Sequence, residues 1–199
     1  MHLARTLALI FLASAAAFGQ TTWQGLIFGS RPAQAQATLS KKSFRLVRLD
    51  AASEKFKRGH GYSEWEAAPV FDLKASNSKM PFHFTPNLIF DRANKLDEIN
   101  LMLATEQRKA EGTNAGTLAL IADTTIETGI NRKYGQPLSE KGACESVSAS
   151  ALVGGSGQVQ CSATWKQAKQ IISLEWEYFE GQDKLFFTIT YKPIVQNGL

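Results

Sequence analysis

Two stretches near the C-terminus decide the fold: QIISLEWEYFE at 170–180 and KLFFTITYK at 184–192. In both, apolar residues recur at every second position, which is the period of a β-strand with one buried face. The predicted inward residues are Ile172, Leu174, Trp176 and Tyr178 in the first strand and Leu185, Phe187, Ile189 and Tyr191 in the second. A short polar connection joins the strands, so we predict an antiparallel hairpin.

The outward residues of this hairpin form the first candidate surface. Glu175 and Glu177 flank Trp176 on the wet face, about 7 Å apart in a regular strand. Phe179 shares their face, and Phe186 lies on the exterior of the second strand. Because aromatic side chains dominate interface energetics, we predict that these four residues contact a partner protein. Cover by a second layer, or by the segment at 50–68, is the alternative.

The rest of the chain contains further strand patterns. Further strands are predicted at 44–49, 70–75, 82–91, 96–103 and 159–166, with a weak one near Val147. Pro81 and Pro86 restrict the strand at 82–91 to an edge or a bulged position. In the strand at 96–103, Glu98 falls on the wet face. Residues 50–68 show no period and predict a loop.

Two helices are expected. Ser30 as N-cap and Pro32 in the first turn predict a short helix that ends near Lys42. A longer helix is predicted from apolar residues at three- and four-residue intervals, followed by stop signals at Gly135 and Pro137. Its apolar stripe comprises Leu118, Ile121, Ala122, Ile126 and Ile130. The sequence therefore predicts an α+β fold, an antiparallel sheet with helices packed on one face.

An internal echo suggests duplication. FDRANKL at 90–96 matches FEGQDKL at 179–185, 89 residues later, and the same shift carries the first helix into the second. We therefore predict two tandem α-β-β-β units, at 20–106 and 107–199, as two domains or as one domain with a shared core. One continuous sheet with two unrelated hairpins is the alternative.

The N-terminus has the pattern of a signal peptide. Arg5 precedes an apolar run at 7–12, and small residues follow up to Gly19. The run is too short to span a bilayer, so we expect residues 1–19 to be removed and no transmembrane anchor to remain. Cleavage before Gln20 or before Phe18 satisfies the small-residue rule. The expected location is periplasmic or secreted.

Composition bounds the function. With 44% hydrophobic and 20% charged residues the chain is of the globular class. Its net charge of +4, or +3 without Arg5, is too small for nucleic-acid binding. One basic and aromatic stretch is a candidate ligand loop, although a solvated loop is the simpler interpretation. Its residues are Lys55, Lys57, Arg58, His60, Tyr62 and Trp65.

No catalytic residue, metal ligand or cofactor is predicted. The chain lacks a nucleophile elbow, a His-Glu-x-x-His pair and a phosphate-binding loop. Glu175 and Glu177 are interpreted as a polar exterior rather than as a catalytic pair. We therefore expect a non-enzymatic module that binds another exported or envelope protein. The alternative is an exported hydrolase or small-ligand binder that uses the loop at 55–65.

The doubled order of helix and antiparallel strands resembles the fold of the SmpA/OmlA-type outer-membrane-assembly lipoproteins and of the beta-lactamase inhibitory proteins. The stretches that carry the resemblance are WQGLIFGS at 23–30 and KYGQP at 133–137. It implies binding of another protein in the envelope, without a reaction of its own. The lipoproteins' lipidation cysteine is absent from the N-terminal region.

Cys144 and Cys161 are the two cysteines of the chain. Exported thiols seldom persist free, so we predict a disulfide between them. A catalytic thiol or a metal site is the alternative, but metal sites want closely spaced Cys and His ligands. Reduction should lower the melting temperature by a few to about twenty degrees, since a loop of this size contributes about 3 kcal/mol. A melting curve that is unchanged by reductant would contradict the bridge.

Overall fold

An antiparallel sheet and two helices make up the computed structural model, which describes residues 22–49, 62–69, 71–73, 82–103, 115–142, 158–179, 182 and 184–194. The strands are β1 (Arg45–Arg48), β2 (Ser63–Ala68), β3 (Phe71–Leu73), β4 (Phe82–Phe90), β5 (Leu96–Leu103), β6 (Ser139–Gly142), β7 (Gln158–Lys166), β8 (Gln170–Phe179) and β9 (Lys184–Pro193). The helices are α1 (Pro32–Ser40) and α2 (Ala115–Tyr134), after a 3-10 turn at Trp23–Gly25. The α+β class is confirmed.

Hairpin β8–β9 forms as predicted. Its strands pair from Gln170 opposite Pro193 to Phe179 opposite Lys184. All eight predicted inward residues are buried, while Glu175 and Phe186 are exposed. The two-residue period of the sequence therefore places each side chain on the expected face.

The sheet is continuous through the pairing of β5 with β9. The strand order is β1-β2-β4-β5-β9-β8-β7-β6, with β3 attached to β4. Leu101 lies opposite Ile189 at the junction. From β5 and from β9 the strands run outward to the edges in the reverse of their order along the chain. The edge strands β1 and β6 are therefore each the first strand after a helix.

Strand β4 was predicted to occupy an edge or a bulged position because of its prolines, and it is not at an edge. It lies between β5 and the pair β2 and β3. Its pairing with β2 ends where Asn87 lies opposite Glu66, and its pairing with β3 begins where Phe84 lies opposite Phe71. Between these two pairs the β2–β3 side contains four residues and β4 contains two. Pro86 lies opposite this interruption, where a ladder hydrogen bond is missing in any case.

Residues 63–68, predicted as part of a loop, instead form β2. Only two of the six residues in this strand are buried, Glu64 and Ala67, so the sequence shows no clear two-residue period. Pairing with β1 on one side and β4 on the other holds the segment extended. Strand β6 was not predicted either, and the weak strand near Val147 lies outside the described residues.

Helix α1 has a different N-terminus from the one predicted. Arg31, not Ser30, is the N-cap, and its backbone N–H donates to Oε1 of Gln34 at 2.8 Å. The hydroxyl of Ser30 donates to the carbonyl of Ile27 instead. Pro32 is the first helical residue, as expected.

Gln36 of α1 covers the outer edge of β1. Its Oε1 accepts from the backbone N–H of Leu46 at 2.7 Å, and its Nε2 donates to the carbonyl of Phe44 at 3.3 Å. The carboxamide thus supplies one donor and one acceptor, as a further strand would. An edge strand that is satisfied in this way is a poor template for pairing with another chain.

Helix α2 ends at Tyr134, and Gly135 follows with a φ of +84°, as the stop signal predicted. Ala119, Ile126 and Ile130 are buried, and so is Asp123. Among the described residues, no helix combines the length and the apolarity needed to cross a membrane.

One contiguous core contains the buried apolar residues of both halves. It includes Ala35 and Leu39 of α1, Ile126 of α2, and inward residues of β4, β5, β7, β8 and β9. The sheet and the helices therefore bury their apolar surfaces together rather than in two separate cores.

The contacts of Gln36 allow a direct test. We expect Gln36→Ala to lower the free energy of unfolding by about 1–2 kcal/mol, because it leaves two edge groups of β1 without protein partners. Gln34→Ala is the matched control, since it removes only the exposed capping bond, and it should cost less. Urea denaturation of both variants measures the difference. Equal losses would show that Gln36 does not secure the edge.

Candidate functional site

A groove of about 420 Å³ opens on the face of β7, β8 and β9 that is turned away from α2, hereafter the outer face. It contains three of the four residues predicted to contact a partner: Glu175, Glu177 and Phe186. The fourth, Phe179, packs edge-on against Phe186 with ring centroids 6.0 Å apart. The four predicted residues therefore lie together at one site.

Strand register places the groove residues in two rows across the sheet. In the first row Lys141, Ser162, Glu175 and Thr188 face one another on β6 to β9. In the second row Gln160, Glu177 and Phe186 do the same on β7 to β9. Carboxylates thus occupy the middle strand, with polar and aromatic groups on both sides.

Gly142 fixes the rim of the groove. Its φ is +88°, and a Cβ at this position would collide with the backbone carbonyl of Gln160. Only glycine fits both constraints, because other residues strongly disfavour this backbone region. The close approach of β6 to β7 holds Lys141 at the end of the first row.

Phe186 is the most exposed aromatic residue of the groove, at 45%. Nζ of Lys184 lies 4.6 Å from the centroid of its ring. The aromatic quadrupole attracts cations in this geometry. The groove therefore has a ring that already accommodates an ammonium group of the same chain.

The outer face differs sharply between the two halves of the sheet. Glu98 lies three residues before Leu101, and Phe186 lies three residues before Ile189, its partner at the β5–β9 junction. Measured from this junction, the pair Ile89 and Glu98 on β4 and β5 takes the place of Glu177 and Phe186 on β8 and β9. Ile89 is 2% exposed and Glu98 is 3% exposed. Glu98 was predicted to be wet, and it is buried instead. The outer face is thus covered in the first half and open in the second.

Glu98 has two polar partners that compensate its burial. Nζ of Lys192 lies 3.1 Å from its Oε2, and Nδ2 of Asn100 donates to its Oε1 at 2.9 Å. Asn100 in turn accepts from the hydroxyl of Thr190 at 2.9 Å. A buried carboxylate is tolerable only with such pairing.

On the inner face, Asp123 of α2 is 4% exposed. Its Oδ1 accepts from Nε1 of Trp176 at 2.8 Å, and Sγ of Cys161 lies 3.9 Å from the same oxygen. Burial raises the pKa of this carboxyl, the bond from Trp176 opposes the shift, and the charge of Glu140 adds to it. Asp123 was not among the residues predicted from the sequence, although its helical spacing from Ile126 and Ile130 places it in the buried stripe.

Trp165 is anchored to the same helix. Its Nε1 donates to Oδ1 of Asn131 at 2.9 Å and to the carbonyl of Gly135 at 3.1 Å. Two indole donors of the sheet therefore set the position of α2. These contacts join helix and sheet, and they do not form an open site.

The candidate ligand loop is not part of the groove. Trp65 packs against Phe90, with ring centroids 6.2 Å apart, and its Nε1 donates to the hydroxyl of Ser63 at 3.2 Å. Its strand, β2, is three strands from the nearest groove strand. Tyr62 adjoins β2, and Lys55, Lys57, Arg58 and His60 lie outside the described residues.

In the described part of the chain, no group of three or more His, Cys, Asp and Glu side chains is placed to hold a metal ion. Cys144 lies outside the described residues, so the disulfide with Cys161 stays a prediction. No family model matches the sequence, and no curated protein or solved structure is significantly similar to it.

The environment of Asp123 generates a pH-dependent prediction. Its pKa in the folded protein lies above the ordinary value of 3.8, so between these values the folded state binds more protons than the unfolded chain. Stability therefore falls as the pH rises through this window. We expect Asp123→Asn, which keeps an acceptor for Trp176, to raise the free energy of unfolding by about 1 kcal/mol at pH 7.

Denaturation at several pH values measures this gain, which should vanish below about pH 3.8, where both forms of the wild type are protonated. Asp123→Ala is the control, because it leaves the indole N–H of Trp176 without this acceptor and should destabilise at every pH. A gain of equal size at pH 3 and pH 7 would contradict the assignment.

Proposed function

We propose that this protein is an exported, non-enzymatic module that binds another protein of the cell envelope or the extracellular space through the groove of β7–β9. The observation that carries the proposal is the open outer face of the second half. Phe186 is exposed there, whereas its counterpart in the first half, Glu98, is buried. Phe186 packs with Phe179 beside the groove, and exposed apolar surface that is rimmed by polar residues marks interaction sites on soluble proteins.

The composition of the groove supports a protein partner over a small molecule. It is open along the sheet rather than enclosed, and small-ligand sites are concave pockets that bury most of the ligand. A groove with Phe186 at its wall and Glu175, Gln160 and Thr188 beside it combines the apolar anchor and polar rim of protein interfaces.

Export is part of the proposal. The basic residue, apolar run and small residues of the first nineteen positions support a cleaved leader. The resemblance to envelope proteins that bind other proteins agrees with this location. The predicted disulfide between Cys144 and Cys161 belongs to the same proposal, since oxidising compartments preserve such bonds.

We also propose that α1–β5 and α2–β9 are tandem units whose helices pack on one face. The strand order is symmetric about the β5–β9 junction, and buried residues of both helices share one core. Leu101 pairs with Ile189, 88 positions later, while the corner motifs are 89 positions apart. The register shift of hairpin β4–β5 between Ile89 and Phe90 explains the difference of one residue.

The alternative function, a hydrolase or small-ligand binder built on the loop at 55–65, has less support. Trp65 is partly buried against Phe90 and offers no platform near the groove. Glu175 and Glu177 remain candidates for an acid pair, but they lie on one strand of a groove that is open along the sheet, whereas small-ligand sites enclose most of the ligand.

Capture from an envelope extract tests the binding function. The chain is expressed from its full-length sequence with a C-terminal tag, and the processed form serves as bait. Thr188→Arg places a long charged side chain in the groove, and we expect it to reduce capture of the partner at least tenfold. Thr128→Arg, the same change on the exposed side of α2, is the control and should capture normally.

Circular dichroism and melting temperature verify that both variants fold. The proposal fails if the bait retains no saturable partner, or if Thr188→Arg and wild type capture the same protein equally well.

A further inference from the structure

We infer that the groove recognises an arginine side chain of the partner, held between the Glu175 carboxylate and the Phe186 ring. This inference rests on the proposed function, and it names the chemistry of the contact. Three features support it: a precedent on the same face, the state of Glu175, and the geometry of the aromatic wall.

The precedent is the treatment of Glu98 on the outer face of the first half. That carboxylate is buried, and the ammonium of Lys192 lies 3.1 Å from it. At Glu98, therefore, a covered carboxylate is matched by a cation. A partner that covers the second half must meet the same requirement at Glu175, because a buried carboxylate without a partner opposes binding strongly.

Among the residues that the structure describes, Glu175 has no such cation. It is exposed, and no described residue forms an ion pair or a side-chain hydrogen bond with it. Lys141 lies in the same row but is separated from it by Ser162. Lys184 lies over the Phe186 ring, one row away from Glu175. The first row therefore offers a carboxylate that is free to accept two hydrogen bonds from a guanidinium.

The aromatic wall favours arginine over lysine. Thr188 lies directly opposite Glu175, and Phe186 is two residues before Thr188 on the same face of β9. A planar guanidinium that bonds Glu175 can extend its aliphatic stem along Phe186, and its fork matches a carboxylate in a bidentate manner. Lysine can supply only a point charge at the same place.

Titration with N-acetyl-L-arginine amide, followed by NMR, tests the inference on the processed full-length chain. We expect saturable shifts of the backbone amides of Glu175, Phe186 and Thr188. The uncharged isostere N-acetyl-L-citrulline amide is the matched ligand and should bind at least tenfold more weakly. N-acetyl-L-lysine amide should bind more weakly than the arginine probe.

Glu175→Gln removes the charge and keeps the shape, and it should weaken binding of the arginine probe at least fivefold. Glu66→Gln on β2 is the matched control variant and should bind as wild type does. The inference is overturned if citrulline amide binds as well as arginine amide, or if Glu175→Gln binds the arginine probe normally.

The two proposals fail in different ways. If Thr188→Arg abolishes partner capture while the arginine probe produces no shifts, the groove binds a protein but not through arginine. If wild type captures no partner, the proposed function falls whatever the probe does.

Discussion

The pairing of β5 with β9 is the constraint on which the rest of the structure depends. It joins two meanders into one sheet and sets Leu101 opposite Ile189, so that both halves turn their apolar faces to the same core. Because side chains alternate along a strand, a slip of one residue would turn these inward residues to solvent. The register is therefore strongly specified by burial alone.

Polar groups in the helix–sheet interface add specificity to this apolar frame. The indole of Trp176 donates to Asp123, and that of Trp165 donates to Asn131. Each bond fixes the rotation and position of α2 over β7 and β8, which apolar contact alone would leave less sharply defined. Burial disfavours the charged form of the Asp123 carboxyl, which is why its pKa is raised. At neutral pH this burial lowers the stability of the folded state.

The groove follows from an asymmetry between two similar hairpins. In β4–β5 the outer face carries Ile89 and Glu98, which are buried, the second of them beside Lys192. In β8–β9 the same places carry Glu177 and Phe186, beside an exposed Glu175. The outer face is covered in one half of the sheet and open in the other, so the proposed binding site lies at one end of the sheet. The described residues that line the groove belong to paired strands, and strands hold side chains in more fixed positions than loops do.

The sequence by itself determined the elements that have a clear apolar period or a clear stop signal. Hairpin β8–β9, strand β5 and the end of α2 at Gly135 follow from local pattern, because alternation and helix stop signals depend on neighbours along the chain. The outward placement of the four residues that we predicted to contact a partner follows for the same reason, since outward positions are fixed once inward ones are known.

Only the tertiary structure decided the rest. Strand β2 shows no two-residue period and is held extended by strands on both sides. Pro86 is accommodated in an interior strand by the interruption between β2 and β3. Glu98 is buried beside Lys192, which lies 94 positions later in the sequence. Lys141, Gln160 and Thr188 join the groove through cross-strand register. Contacts between distant residues depend on how the sheet is assembled, and no local pattern encodes that order.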